Sequence, residues 1–322
     1  MGIRPLLLFS VIVWSLPLGA SGQERQQYAF DTDHTEIGFS IRHIGIVPVK
    51  GTFTQYHGTF WYDENNPANT EVQVTIDAAS IETGVERRDE HLRNADFFEV
   101  ATYPEITFQS TRVEQSDDQL LMTGTLTMHG VSKELDIPFT ITDELLYPNS
   151  NTIYRGTEAR ITLNRTDFGI GSQQAFLQLM KNGSAWASEE VEITLNIMWE
   201  RKIPYIADLL ATTIEQEGID AAIHQFEALH AQYYDQAVYS FSVNPMSKLA
   251  ASLLEAGKIK EALEIYKLNI KMQPDWWWLY APLAEAYEAQ GDSAEAIDLY
   301  NKVLHLNPDD ENATAALKRL SQ

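Results

Sequence analysis

Residues 28–199 predict an antiparallel β-domain, and residues 206–320 predict an α-helical repeat domain. Three observations carry this reading. Apolar and polar residues alternate at period two through the first region, with turn-forming clusters between the runs. From Ile206 onward the period becomes helical. There the sequence also repeats itself every 34 residues.

The N-terminus comes first in the chain. MGIR carries one cationic side chain, and LLLFSVIVWSLPLGA follows as an apolar run. Ala20, Ser21 and Gly22 then supply small residues suited to cleavage before Gln23. This order predicts a signal peptide over residues 1–22 and a periplasmic or secreted mature chain. The alternative for the same residues is an uncleaved anchor, although the run is short for a membrane span.

The β-domain spans residues 23–200. EIGFSIRH places Ile37, Phe39, Ile41 and His43 on one face. VQVTID does the same with Val72, Val74 and Ile76, and LDIPFTIT with Leu135, Ile137, Phe139 and Ile141. VEITLNIMW closes the region with Val191, Ile193, Leu195, Ile197 and Trp199. Residues 63–69, 115–118 and 148–151 read as turns. About eight strands with little helix between them give a sandwich or a barrel. Closure into a barrel removes exposed edges, which favours it in a single domain.

Residues 201–204 join this region to the helical one, which spans 201–322. Gly257 and Gly291, Ala262 and Ala296, Tyr266 and Tyr300, and Pro274 and Pro308 stand at equivalent positions. The pattern resembles the tetratricopeptide repeat, with full units at about 243–276 and 277–310. Glycine closes the first helix, alanine permits close packing, the aromatic fills the groove between helices, and proline ends the unit. Residues 206–233 are expected to supply a third, degenerate unit, since about three are needed for stability. Residues 309–320 fit a capping helix. Trp276, Trp277 and Trp278 cannot all face one way on a helix, so at least one is expected to be exposed or in a groove. Such a module suggests a protein partner.

Charge and composition exclude several functions. The net charge of −23 opposes a nucleic-acid partner and opposes charge-driven docking on an anionic bilayer. The chain has no cysteine, which removes disulfides, thiolate nucleophiles, zinc-thiolate sites and lipoprotein acylation. The eight histidines form no His-x-His or HExxH spacing, so no metal is expected. No Gly-x-Ser-x-Gly elbow and no phosphate-cradling loop occurs, and no catalytic residue or cofactor is expected.

The densest charged stretch is ERRDEHLRNADFF, residues 86–98. Its residue types suit a short solvated helix over Val85–Ala95 that staples one end of a barrel. Asp89 and Arg93 are spaced for an i,i+4 ion pair, and Leu92 can point inward. Taken with its surroundings, SIETGVERRDEHLRNADFFEVATYPEITFQS resembles the most recognisable block of the YceI-like family of secreted lipid-binding proteins. DTDHTEIGFSIRH, TGTLTMHGVSKELDIPF, RTDFGI and EEVEITLNI match the family in the same order, covering residues 28–199.

The resemblance implies an all-β, lipocalin-like antiparallel barrel that holds a long-chain isoprenoid or fatty lipid and often dimerises. Strand alternation then places Phe39, Ile41 and Phe108 inward, with Leu126 and Met128 on one hairpin face that is also placed inward. Phe97 and Phe98 are expected near the helix-capped end. Arg88 and His91 are candidates for contact with a lipid head group. The competing reading is a scaffold in which the barrel is structural and the repeats recruit partners.

Overall fold

The computed structural model describes residues 25–116, 119–148, 150–173 and 185–321. The expected signal peptide lies outside the described residues. Two compact units divide the chain. One comprises residues up to Ile141 together with Thr157–Trp199, and the other comprises Thr142–Gly156 together with residues from Glu200 onward.

The first unit is a closed antiparallel barrel. Its strands are β1 (Gln26–Phe30), β2 (Glu36–His43), β3 (Val47–Phe53), β4 (Tyr56–Tyr62), β5 (Glu71–Asp77), β6 (Ile81–Glu82), β7 (Glu105–Ser116), β8 (Gln119–Met128), β9 (Val131–Ile141), β11 (Thr152–Asn164) and β12 (Ala187–Lys202), with β10 (Leu145–Leu146) in the β9–β11 connection. The order β11-β9-β8-β7-β5-β4-β1-β12 closes through a β11–β12 pairing. That ring has the eight strands the sequence predicts. The higher strand count arises because two of its staves are broken. β1 and β2 both lie against β12, while β4 and β3 pair with them in turn. The helix α1 (Glu86–Arg93) follows β6.

The inward faces follow the alternation. Ile193 lies opposite Phe39, and Leu195 opposite Ile37, on the β12–β2 pair. Phe108 lies between Val74 of β5 and Leu126 of β8. Two glycines shape the wall. A Cβ on Gly51 would stand 2.4 Å from Phe39 Cζ, and one on Gly124 would stand 2.4 Å from Phe108 Cζ. Both rings therefore reach over a glycine on the next stave, where any side chain would collide with them, as when an aromatic covers a strand glycine. The β2–β3 turn has positive φ at Ile44 (47°) and Gly45 (73°), and Ile46 N–H donates to His43 O at 3.0 Å. This is a tight primed-type turn, and a β-branched residue is an uncommon choice for its first centre.

The second unit holds α2 (Ile206–Gln216), α3 (Ile219–Tyr233), α4 (Val243–Glu255), α5 (Ile259–Met272), α6 (Tyr280–Gln290), α7 (Ser293–Leu306) and α8 (Glu311–Leu320). Ile206, Leu210, Phe226, Met246, Ile265 and Tyr266 share one apolar core, so α2 and α3 pack as a pair against α4 and α5. Tyr280, Ala296, Tyr300, Val303 and Ala313 form the core of the last helices. Gly257 and Gly291 take φ of 74° and 89° just past α4 and α6, the left-handed stop expected of a helix-ending glycine. Asp292 and Asp310 accept from the backbone N–H of Glu295 and Ala313, capping α7 and α8.

Sequence reading places the boundary at residues 200/201, yet Thr142–Gly156 groups with the helical unit. The reason is a set of polar contacts. Glu144 takes a fork from Arg201 at 2.9 and 3.0 Å. Asn151 and Ile203 exchange bonds, and Ser240 Oγ donates to Ser150 O.

Candidate functional site

The barrel encloses a cavity of about 860 Å³. That lies in the upper part of the ~300–1,000 Å³ range of ligand pockets. Its wall comes from the inward positions of β2, β5, β7, β8, β9, β11 and β12, and it is almost wholly aliphatic or aromatic. Inward residues near mid-barrel, such as Phe39, Ile193 and Leu126, stay only partly buried because they border the lumen. Sequence periodicity alone does not distinguish such a lumen from a filled core.

One end is sealed. Tyr28, Phe60 and Trp199 are each nearly inaccessible. Ring centroids of Phe30 and Phe60 lie 4.4 and 4.9 Å from that of Trp199. Trp199 Nε1 donates to Thr157 Oγ1 at 2.9 Å, so the indole N–H is satisfied and the plug is fixed. The other end carries α1 and the polar lining residues His43, Thr83, Arg87, Arg88, His91 and Arg165.

Helix α1 is solvated along Glu86, Arg87, Glu90 and His91, as expected, and is bolted in place through Asp89 and Arg93. Asp89 is 3% exposed and accepts from the Thr83 N–H at 3.0 Å and from the Thr83 hydroxyl. The expected Asp89–Arg93 pair is thus replaced. Arg93 instead donates to Ala79 O and Ile81 O at 2.8 and 3.0 Å and reaches Glu86 at 3.4 Å. Backbone carbonyls of the preceding turn outcompete a neighbour on the same helix because α1 lies across them. Val85, Arg88 and Leu92, at helical spacing, face the cavity. Arg88 Nε and Nη2 donate to Thr83 Oγ1 and O at 2.6 and 2.9 Å, and the residue lines the cavity at this end. His91 Nε2 lies 3.1 Å from Asp96 Oδ2, and its ring meets Phe97 edge-on at 5.0 Å.

Arg165 was not legible as a site residue. It is buried, and its guanidinium donates to the carbonyls of Ser188, Ile170, Gly171 and Ala187 at 2.7–3.2 Å. Burial pulls its pKa below the ordinary arginine value, with Glu189 opposing the shift. The planar fork ties residues 165–171 to the start of β12. Nothing in RTDFGI announces that role without the fold.

All nine residues singled out in the sequence, Phe98 among them, line this cavity. Phe39, Ile41, Phe108, Leu126 and Met128 form its wall, and Phe97, Arg88 and His91 its helix-capped end. Among the described residues no group of His, Asp and Glu is arranged to hold a metal.

Residues 28–199 match the YceI-like domain. The chain belongs to that family. Residues 253–320 match the tetratricopeptide repeat. Protein YceI of Escherichia coli O157:H7 is 35% identical over 188 residues, covering 57% of this chain and 91% of that protein. Among solved structures, the Campylobacter jejuni YCEI protein aligns at 29% identity with a TM-score of 0.43, covering 53% of this chain and 96% of that one. A polyisoprenoid binding domain from Saccharophagus degradans aligns at 19% identity with a TM-score of 0.40, covering 54% and 97%.

Proposed function

We propose that this YceI-like chain is a non-enzymatic carrier of a long-chain amphiphilic lipid, a polyisoprenoid or fatty-acid derivative, and that its repeats engage a protein partner. The observation that carries the lipid reading is an apolar cavity, sealed at one end, whose polar lining groups collect at the other. A single long chain fits that layout. Its tail gains roughly 0.8 kcal/mol per buried CH₂, so affinity needs few polar contacts. A head group would sit by Arg88 and His91, where the Arg88 guanidinium offers a charge-assisted donor. The signal-peptide reading of residues 1–22 supports a periplasmic or secreted location.

Native mass spectrometry of the purified chain tests the proposal. One copurified or added isoprenoid or acyl chain per protein is expected. Protein that arrives empty and takes up neither class overturns it.

A scaffold role has its own observation. Trp277 is exposed, and the rings of Trp276 and Trp278 lie 5.5 Å apart in the turn before α6, while Tyr280 and Leu283 fill the repeat's packing positions. Removing residues 205–322 should leave lipid uptake intact and abolish partner capture if the repeats act separately.

A further inference from the structure

Outside residues 142–156, where Leu145 and Tyr147 are also exposed, four large apolar side chains of the barrel are exposed among the described residues: Ile46, Val47, Val85 and Trp186. All four lie at the end of the cavity that carries α1. Ile46 and Val47 form the tip of the β2–β3 hairpin. Trp186 accepts from the Ile44 N–H through its carbonyl at 2.9 Å, and its ring lies 5.8 Å from that of His43. Val85 and Trp186 also line the cavity, so the exposed rim and the lumen wall form one continuous apolar surface. Apolar residues scattered singly over a surface need no explanation, but a cluster around a single opening does.

We propose that this rim docks on the surface of a lipid bilayer, and that ligand passes between bilayer and cavity there. The inference rests on the carrier reading and names where loading occurs. With the Trp199 end sealed, a long chain must use the mouth, and an open mouth in water would expose that chain during transfer. Seating the rim in the headgroup region avoids this exposure. A half-exposed tryptophan suits such an interface, having an apolar ring and a polar N–H. Charge at the rim is mixed, with Arg42, Lys50 and Arg87 exposed on the same hairpin and helix as Glu86 and Glu90. Docking is therefore driven by apolar insertion, takes place on uncharged membranes, and there depends little on salt.

The chain has no cysteine, so Ile46→Cys gives a unique attachment point for an environment-sensitive fluorophore. Phosphatidylcholine vesicles should shift the emission of that label to the blue equally at low and high salt. A label on Asn65→Cys, in the turn after the sealed end, should not respond. The double variant Ile46→Asp with Val47→Asp should slow transfer of a fluorescent prenyl or acyl chain from vesicles at least tenfold. Its affinity for the same chain offered from cyclodextrin should be unchanged. Both positions are exposed, and a melting curve checks the fold. A label at residue 46 that ignores vesicles, or an unchanged transfer rate in the double variant, overturns the docking proposal. Failure of the unsubstituted chain to take the lipid from cyclodextrin would instead remove the carrier reading.

Discussion

Phe108→Trp separates an open lumen from a packed core. The Phe108 ring lies over Gly124, with its outer edge on a cavity of about 860 Å³. In a filled interior the larger indole would be overpacked, at a cost of roughly 1–3 kcal/mol. For a unit of this size each kcal/mol lowers Tm by about 2–4 °C, so a filled interior predicts a fall of about 2–12 °C. An open lumen accommodates the indole, and Tm of the lipid-free protein should change by less than ~2 °C. The indole then takes room from the ligand. Displacing two or three methylenes at about 0.8 kcal/mol each weakens a long chain by roughly 15- to 60-fold. Short chains that leave this part of the lumen free should bind as before. The assays are differential scanning calorimetry of lipid-free protein and displacement of a fluorescent acyl probe by chains of graded length. A fall in Tm beyond ~6 °C together with unchanged long-chain affinity would refute the reasoning.

Other substitutions test the supports. Arg88→Gln should lower affinity for a prenyl phosphate about tenfold and leave a prenyl alcohol unaffected, since one charge-assisted hydrogen bond contributes about 1.5 kcal/mol; titration with both ligands checks this. Arg165→Lys should destabilise the barrel by at least ~2 kcal/mol in urea, because a single ammonium cannot serve four carbonyls held by a planar fork. Ile44→Asn should stabilise it by about 1 kcal/mol, relieving a β-branched residue at positive φ, as read by Tm. In the repeats, Arg319 and then Tyr300 hydrogen-bond Glu288 and hold its carboxylate below the usual range. The folded state then binds fewer protons, so this stabilisation is complete above about pH 4.3 and declines as pH falls through the lowered value. Glu288→Gln should cost about 1 kcal/mol near neutral pH, with the difference shrinking in acid, as read by denaturation at several pH values.

The wall of the site was legible because a barrel wall obeys period two. Ile193, Leu195, Ile197 and Trp199 alternate with polar neighbours, and the register keeps that alternation inward. Helix-ending Gly257 and Gly291 were legible for a similar reason, since a left-handed stop has a residue preference. Features decided by long-range hydrogen bonds were not. Asp89 has the spacing of a surface ion pair, and only the fold of residues 83–89 over β6 buries it on Thr83. Residues 148–151 read only as a turn, and the attachment of residues 142–156 to the helical unit depends on partners about 50 to 90 positions away. The first two staves each break in two because the alternation tolerates a short interruption, as at residues 31–35.

The account's central claim is a single-mouthed apolar cavity that takes a long chain end-on. Affinity measured across a homologous series of fatty acids or prenyl alcohols tests it most directly. Each added methylene that enters the lumen should tighten binding roughly fourfold, at about 0.8 kcal/mol, until the chain reaches the Trp199 plug and the gain stops. A flat dependence on chain length, or one that rises without limit, would contradict it.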